Sequence, residues 1–214
     1  MQTVFTIIGY LIYMSLGIIA LWGAYCVIVV GRRVNQTRFR SEEEQEGFLD
    51  ELDEHLTAHD FEAATEMCDQ DDRAMSQIAL LAVTNRDLGY RKIRTLITDR
   101  FQRDVLADLE YRLSWVYTVI KAAPMVGLLG TVMGMMGAFQ NLASGQKVDT
   151  TKMAEDIGFA LITTACGLAI AIPLVLSTAY INVRIRKLED LVSAGMTRLL
   201  NTLKAVFMQG PVER

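Results

Sequence analysis

Residues 113–139 read LSWVYTVIKAAPMVGLLGTVMGMMGAF, an apolar run in which Lys121 is the one charged side chain. A hydrocarbon core about 30 Å thick is crossed by a helix of about 20 apolar residues, so this run is long enough to span a membrane. Two other runs, residues 4–30 and 153–181, reach the same length. The sequence therefore predicts an integral membrane protein with three transmembrane helices.

The basic residues that flank these runs predict the orientation of the helices. Arg32 and Arg33 follow the first run, whereas no basic residue precedes it. A secretory signal peptide has the opposite order, so we expect this helix to be retained. Because cytoplasmic flanks carry the excess of Lys and Arg, we expect the N-terminus outside. The basic cluster 184–187 follows the third run and predicts a C-terminus inside.

The segment between the first two runs is charged, and its apolar residues recur at helical spacing. Three leucines share one predicted helix face: Leu49, Leu52 and Leu56. Residues 69–72 and 85–89 are the expected breaks between helices. A further apolar stripe begins at Ile93 and continues into the second run. It predicts one helix from Arg91 to Phe139, which starts well before the membrane.

We therefore predict an all-α integral membrane protein with long cytoplasmic helical extensions. The tail is expected to form an amphipathic helix through four leucines: Leu188, Leu191, Leu199 and Leu203. The predicted segments are a transmembrane helix, a cytoplasmic helical domain, a second transmembrane helix, a periplasmic loop, a third transmembrane helix and a cytoplasmic C-terminal helix. Their bounds are 1–31, 32–112, 113–140, 141–152, 153–182 and 183–214.

Small residues line one face of the second span. Gly127, Gly130 and Gly134 recur at spacings of three and four after Pro124, and Pro173 lies in the third span. Small residues let helices approach closely in lipid, and a proline removes one backbone hydrogen bond and can kink a helix. We interpret these five residues as positions of helix packing and kinking. Ordinary packing within one subunit is sufficient to explain the glycine spacing.

Hydroxyl groups occur in both of these spans. Thr131 lies on the glycine face of the second, and Thr163 and Thr164 lie in the third. A membrane threonine commonly bonds its own backbone, but hydroxyls on two spans can also line a hydrated path. Spacing alone leaves both interpretations open.

The middle of the membrane contains no titratable proton carrier. Neither residues 124–139 nor residues 157–181 include Asp, Glu or His. Proton carriers in membranes are usually one of these side chains. The chain is therefore not expected to be a self-sufficient proton pump. Either it moves no protons, or a partner brings the carboxylate.

Two long stretches resemble the MotA/TolQ/ExbB proton channel family. Residues 123–134, APMVGLLGTVMG, are similar to the second-span signature of that family, and residues 160–173, ALITTACGLAIAIP, to its third-span signature. The resemblance covers nearly the whole chain and is weakest before Arg40. Three spans and an outside N-terminus resemble the ExbB/TolQ branch more than the four-span MotA branch.

The resemblance implies the pore-forming stator subunit of an ion-driven motor in the bacterial inner membrane, without enzymatic activity. It implies a homopentamer around the helices of an ExbD/TolR-like partner, which supplies a membrane aspartate, and work on a TonB-like or TolA-like protein. Thr131 and Thr164 match the family's pore-lining threonines by motif position, and we include the adjacent Thr163 in the candidate ion pathway. Pro124 and Pro173 match its helix prolines. Whether H⁺ or Na⁺ is the ion stays open.

The chain departs from the family at Phe159, where many ExbB and TolQ proteins carry a glutamate. Glu155 lies one helical turn earlier on the same face, beside Asp156. We weigh two roles for these acids: cation collection at the pore entrance, or stabilisation of the helix N-terminus through its dipole.

Other functions have weaker support. His55 and His59 stand four apart on a predicted helix, a spacing that could bind a metal, but a solvated helix face is the simpler interpretation. No metal site, cofactor site, catalytic constellation or nucleic-acid-binding pattern is expected, and the juxtamembrane arginines are expected to contact anionic lipid. The alternative function is a non-conducting structural scaffold of a membrane complex.

Overall fold

The computed structural model describes residues 2–143 and 150–209, and its secondary structure in these ranges is entirely helical. The helices are α1 (Gln2–Thr37), α2 (Glu42–Thr57), α3 (Phe61–Asp69), α4 (Ala74–Thr84), α5 (Tyr90–Arg100), α6 (Ala107–Ala143) and α7 (Thr150–Gln209). Three of them, α1, α6 and α7, contain stretches long and apolar enough to cross a membrane. The predictions of an all-helical chain and of three apolar spans are thus confirmed.

Both predicted breaks in the charged segment are present. The chain leaves α3 after Asp69 and enters α4 at Ala74, and a 3₁₀ turn, Arg86–Leu88, follows α4. Gly89 has a φ of 80°, a conformation that glycine adopts without the steric cost other residues meet. The helical run expected from Arg91 is also present, but it contains a π-helical segment at Phe101–Leu106 that the sequence pattern did not indicate.

The described residues at both ends of the predicted periplasmic loop, 141–152, are helical in the structure. Helix α6 continues to Ala143, and α7 is described from Thr150. The loop residues Gly145 and Asp149 lie outside the described residues, as does the end of the C-terminal segment, 210–214.

The described chain divides into two compact units. The apolar unit comprises residues 2–29, 112–143 and 150–180, and the polar unit comprises residues 30–111 and 181–209.

Within the apolar unit, α1 meets the other two helices at Gly23. A Cβ atom added there would lie 2.8 Å from side-chain atoms of both Val119 on α6 and Leu174 on α7. Real Cβ contacts are longer than this, so the absence of a side chain permits the approach of the helices. Large apolar side chains such as Leu21, Met125 and Leu176 are exposed on the outer faces. Exposure of this extent is characteristic of surfaces that meet lipid or other membrane helices.

The polar unit is a helical bundle whose core is built from the apolar stripes of its helices. The four leucines predicted for the tail, Leu188, Leu191, Leu199 and Leu203, are all buried there. The Gln45 side chain on α2 donates a hydrogen bond to the Leu191 carbonyl oxygen at 2.7 Å. Arg198 on α7 pairs with Asp50 and Asp53 on α2, at 2.6 and 2.7 Å. These contacts hold the C-terminal part of α7 against α2.

Candidate functional site

The candidate site is the contact between α6 and α7 in the apolar unit, where the sequence places its glycines and threonines. Glycine creates the contact. A Cβ atom on Gly127 would lie 2.8 Å from the Thr163 carbonyl oxygen, and one on Gly167 would lie 2.6 Å from the Ala123 carbonyl oxygen. At Gly130, a Cβ would overlap the Thr163 hydroxyl. The two backbones are therefore too close for any larger residue, as expected for helix packing between small residues in lipid.

Thr163 occupies the notch that these glycines leave. Its side chain is 1% exposed. Its hydroxyl lies 2.7 Å from the Ala160 carbonyl oxygen in the preceding turn of α7 and 3.1 Å from the Gly127 carbonyl oxygen on α6. The structure thus places Thr163 inside the helix pair rather than on a surface.

Thr164 lies at the edge of the same contact and is partly exposed. Its hydroxyl donates to the Gly127 carbonyl oxygen at 3.0 Å. Membrane threonines commonly donate to a carbonyl three or four residues earlier in their own helix, so a bond to another helix is the less usual arrangement. We call Gly127, Thr163 and Thr164 the two-hydroxyl contact.

Thr131 lies one turn beyond Gly127 on α6 and is also partly exposed. Its hydroxyl donates to Leu128 within its own helix at 2.7 Å. It borders an open groove of about 430 Å³, which is lined otherwise by apolar side chains: Val132, Met135, Met136 and Phe139. The structure therefore brings Thr163 and Thr164 together on one carbonyl and leaves Thr131 on a neighbouring surface of α6.

The two predicted helix prolines lie inside continuous helices, Pro124 in α6 and Pro173 in α7. Pro124 is part of the close contact, because a Cβ on Gly167 would lie 3.3 Å from its Cα atom. Gly134, the last glycine of the predicted face, packs against Ala160. The glycine face of α6 is thus used for packing on α7 within one chain.

Phe159 of α7 contacts α1. Its ring meets the ring of Tyr13 edge to face at 4.9 Å between centroids, and the Tyr13 hydroxyl lies 3.4 Å from the Phe159 carbonyl oxygen. A Cβ on Gly9 would lie 3.0 Å from the Phe159 ring. Sequence reasoning missed this contact, since Tyr13 and Gly9 carry no signal that links them to a residue so distant in the chain.

Glu155 and Asp156 lie five and six residues after the first described residue of α7. Glu155 is exposed, and Asp156 is partly buried with its carbonyl oxygen close to Gly134. The helix dipole acts mainly within the first turn. Their placement in the second turn therefore weakens the dipole interpretation of these acids.

The predicted helical pairing of His55 and His59 is wrong. Helix α2 ends at Thr57, and His59 lies in the following turn with a φ of 56°, its ring against Phe61. The two imidazoles therefore do not share a helix face. Among the described residues, no group of three or more His, Cys, Asp or Glu side chains is arranged to hold a metal ion.

Comparison with known proteins identifies the class to which this architecture belongs. Residues 70–194, more than half of the chain, match the sequence model of the MotA/TolQ/ExbB proton channel family. The chain belongs to this family. The match includes the whole two-hydroxyl contact and about half of the polar unit.

Individual relatives place the chain in the ExbB/TolQ branch. It is 35% identical over 118 residues to the biopolymer transport protein ExbB of Aquifex aeolicus, covering 54% of this chain and 76% of that protein. It is 41% identical over 96 residues to an ExbB-like biopolymer transport protein of Helicobacter pylori, covering 45% of this chain and 61% of that protein. The Tol-Pal system protein TolQ of Haemophilus influenzae is 37% identical over 85 residues, which are 40% of this chain and 37% of TolQ. For the last two, the match spans less than two thirds of the relative.

Proposed function

We propose that this chain is the pore-forming subunit of a motor that uses an H⁺ or Na⁺ gradient to energise a process in the bacterial envelope. The observation that carries this proposal is the two-hydroxyl contact, which sets a partly exposed hydroxyl, Thr164, among apolar helices of a proton-channel family member. The lone pairs of a hydroxyl oxygen in such a setting can bind a hydrated cation or accept a hydrogen bond from a protonated carboxyl group. Thr131 extends the polar surface along α6.

The proposed assembly is a homopentamer in the inner membrane, with the N-terminus outside and the C-terminus inside. Neither α6 from Pro124 to Phe139 nor α7 from Ile157 to Ile181 contains Asp, Glu or His. The titratable group must then come from a partner, for which an ExbD/TolR-like single-span protein with a membrane aspartate is the natural source. The names of the relatives, biopolymer transport protein and Tol-Pal system protein, support a role in transport or in an envelope system. The load that we propose is a TonB-like or TolA-like protein.

In this mechanism the chain lines the ion path, and the partner supplies the carboxylate that carries the ion. Cations collected near Glu155 and Asp156 load the partner's aspartate, and neutralisation lets the partner helix turn past the apolar faces of α6 and α7. Each elementary charge that moves through 100 mV makes about 2.3 kcal/mol available for mechanical work.

The role of Thr164 is tested by ion flux in cells that co-express the chain with its single-span partner, using internal pH and sodium dyes. We expect Thr164→Val to reduce flux about tenfold, the effect of losing roughly 1.4 kcal/mol of polar stabilisation along the path. The matched control is Thr178→Val, because Thr178 is a buried threonine of α7 whose hydroxyl donates to the Leu174 carbonyl oxygen in its own helix. Equal ion flux in the wild type and the Thr164→Val variant would show that Thr164 is not part of the ion path. An assembled wild-type complex without flux would favour the scaffold function.

A further inference from the structure

Charge is segregated between the helices of the polar unit. Residues 41–72, which include α2 and α3, contain many Asp and Glu residues but no Lys or Arg. Helix α5, with the sequence YRKIRTLITDR, has the opposite character, because its basic residues outnumber its one acid, Asp99. Acids are thus concentrated on α2 and α3, and cations on α5.

The cations of α5 form a surface that we call the basic face, which consists of Arg91, Lys92 and Arg94. All three side chains are exposed, whereas Ile93 and Ile97 on the other side of the helix are buried. Like charges three or four residues apart on a helix repel each other, so Arg91 and Arg94 disfavour each other in the isolated chain. An anionic surface placed against them would relieve this repulsion.

The acids of α2 form a second surface, the acidic face, which consists of Glu43, Glu46 and Glu54. These side chains are exposed, and the opposite side of α2 is buried in the core of the unit. Glu43 and Glu46 stand three residues apart and repel each other for the same reason. Asp50 lies on the same side of α2, but it already pairs with Arg198 on α7. The acidic face therefore favours a cationic neighbour.

The two faces do not meet within one chain. Helix α3 packs on α2, α4 on α3 and α5 on α4, whereas α2 and α5, both fully described, are not packed on each other. Helix α7 contacts α2 through Arg198 and α5 through Lys204, whose ammonium lies 5.9 Å from the centroid of the Tyr90 ring. Among the described residues, no ion pair joins the basic face to the acidic face. Both faces are therefore open to another molecule.

We propose that the basic face binds the acidic face of a second copy of this chain, so that the two faces form the cytoplasmic contact between neighbouring subunits. This proposal rests on the proposed function, which places copies of the chain in a ring with one orientation in the membrane. In a ring of more than two copies, each contact joins two different surfaces of the chain. Opposite charges on two different faces suit such a contact, whereas one face brought against its own copy would be repelled.

The role of this contact is to select the neighbour and fix its position. Each exposed ion pair adds little stability and is weakened by salt. Complementary patches of charge nevertheless exclude wrong neighbours, because bringing like charges together is strongly unfavourable. Neutralising one face is therefore expected to weaken assembly slightly, whereas reversing its charge is expected to prevent assembly.

Carbodiimide coupling in inverted membrane vesicles tests the contact directly, because this reagent joins a lysine to a carboxylate at ion-pair distance. Lys92 supplies the one amine of the basic face. We expect covalent dimers in which Lys92 is joined to Glu43, Glu46 or Glu54, a link that mass spectrometry finds in the dimer band and not in the monomer band. Lys92→Arg is the matched control, since it keeps the charge and removes the amine, and it should abolish this link. Dimers without the link, or monomers alone, would overturn the proposal.

Charge reversal supplies the second measurement, in which native mass spectrometry gives the fraction of the purified chain in the oligomer. The reversed basic face carries Arg91→Glu, Lys92→Glu and Arg94→Glu, and the reversed acidic face carries Glu43→Lys, Glu46→Lys and Glu54→Lys. Either reversal alone brings like charges together and is expected to lower the oligomer fraction about tenfold. The chain with both reversals again has opposite charges across each contact, and its fraction should return to within about twofold of the wild type.

Arg91→Lys combined with Arg94→Lys keeps the charge of the basic face and should leave the oligomer intact. Circular dichroism checks that every variant keeps its helical content. An oligomer that persists after one reversal, or one that the second reversal does not restore, would overturn the proposal.

These outcomes are separable from ion flux. A ring that shows the link and the rescue but carries no flux with its partner would remove the motor function and keep the contact. Flux in a complex that shows neither the link nor the rescue would keep the motor function and overturn the contact.

Discussion

At the scale of single residues, the close contact between α6 and α7 depends on glycines, which have no side chain to keep the helices apart. The hydroxyl of Thr163 lies where a side chain on Gly130 would be, and the Gly127 carbonyl oxygen is the acceptor for both threonines. The sequence predicted the glycine face and the threonines from spacing and composition. It could not show that Thr163 points into the helix pair and Thr164 to its edge, because that depends on the rotation of α7 against α6.

Replacing Gly130 by alanine is expected to destabilise the chain by about 1–3 kcal/mol, the usual cost of overpacking a close contact. The physical reason is overlap between the new Cβ and the Thr163 hydroxyl. Thermal unfolding in detergent measures the effect. Gly17→Ala is the matched control: a Cβ on Gly17 in α1 meets no atom within 4 Å. It should be neutral or stabilising by up to about 1 kcal/mol. Equal Tm shifts for the two variants would contradict the close contact.

Cys68 is predicted to be chemically inert in the folded chain. It is fully buried on α3, and burial, followed by the Asp71 carboxylate, raises the pKa of its thiol from 9.0 to about 12. Alkylation requires the thiolate. At pH 8.5, in a background of Cys26→Ala and Cys166→Ala, iodoacetamide should label Cys68 only after denaturation. The control is Ser193→Cys at an exposed position, in a background that also lacks Cys68. The thiol of this variant should react with iodoacetamide at once. Rapid labelling of native Cys68 would contradict its burial.

The same raised pKa gives stability a defined pH dependence. The unfolded thiol loses its proton near pH 9 and the folded thiol only near pH 12. Unfolding therefore releases a proton between these values, and Cys68 lowers the unfolding free energy by about 1.4 kcal/mol per pH unit as pH rises through that window.

At the scale of elements, the long helices owe their contacts to residues far apart in the sequence. The breaks at 69–72 and 85–89 were predictable because turn-forming residues are local signals. The pairing of Arg198 with Asp50 and Asp53 was not, because nothing in either segment specifies a partner nearly 150 residues away. The π-helical segment Phe101–Leu106 was not predicted either, because its apolar spacing is indistinguishable from that of the α-helix that continues from it.

Arg198 is predicted to hold α7 on α2. The Arg198 guanidinium donates hydrogen bonds to Asp50 and Asp53. The bond to Asp50, and next the bond to Asp53, raises the pKa of the guanidinium, which stays charged at any accessible pH. Since Arg198 is partly exposed, we expect Arg198→Gln to cost about 1 kcal/mol in the unfolding free energy, at the upper end for surface pairs. Arg100→Gln, which removes the more exposed pair with Asp104 within one helical segment, should cost about 0.3–0.5 kcal/mol. A larger loss for Arg100 would contradict the assignment.

At the scale of the whole molecule, hydropathy alone predicted the three apolar helices, because the thickness of a bilayer fixes the length of a spanning helix. The family follows from the motifs of the second and third spans, and the match over residues 70–194 confirms it. What the described chain does not contain is a titratable carrier in the middle of α6 or α7. The proposed function assigns that role to a carboxylate of a partner protein.

The most direct measurement is therefore ion flux in three kinds of cell. They express this chain alone, the chain with the proposed single-span partner, or the chain with that partner after its membrane Asp is changed to Asn. Assembly of each complex is checked by co-purification. The proposed function predicts flux only in the second, with the responding dye, pH or sodium, identifying the ion. Undiminished flux with the Asp→Asn partner, or its absence from all three with the complexes assembled, would contradict it.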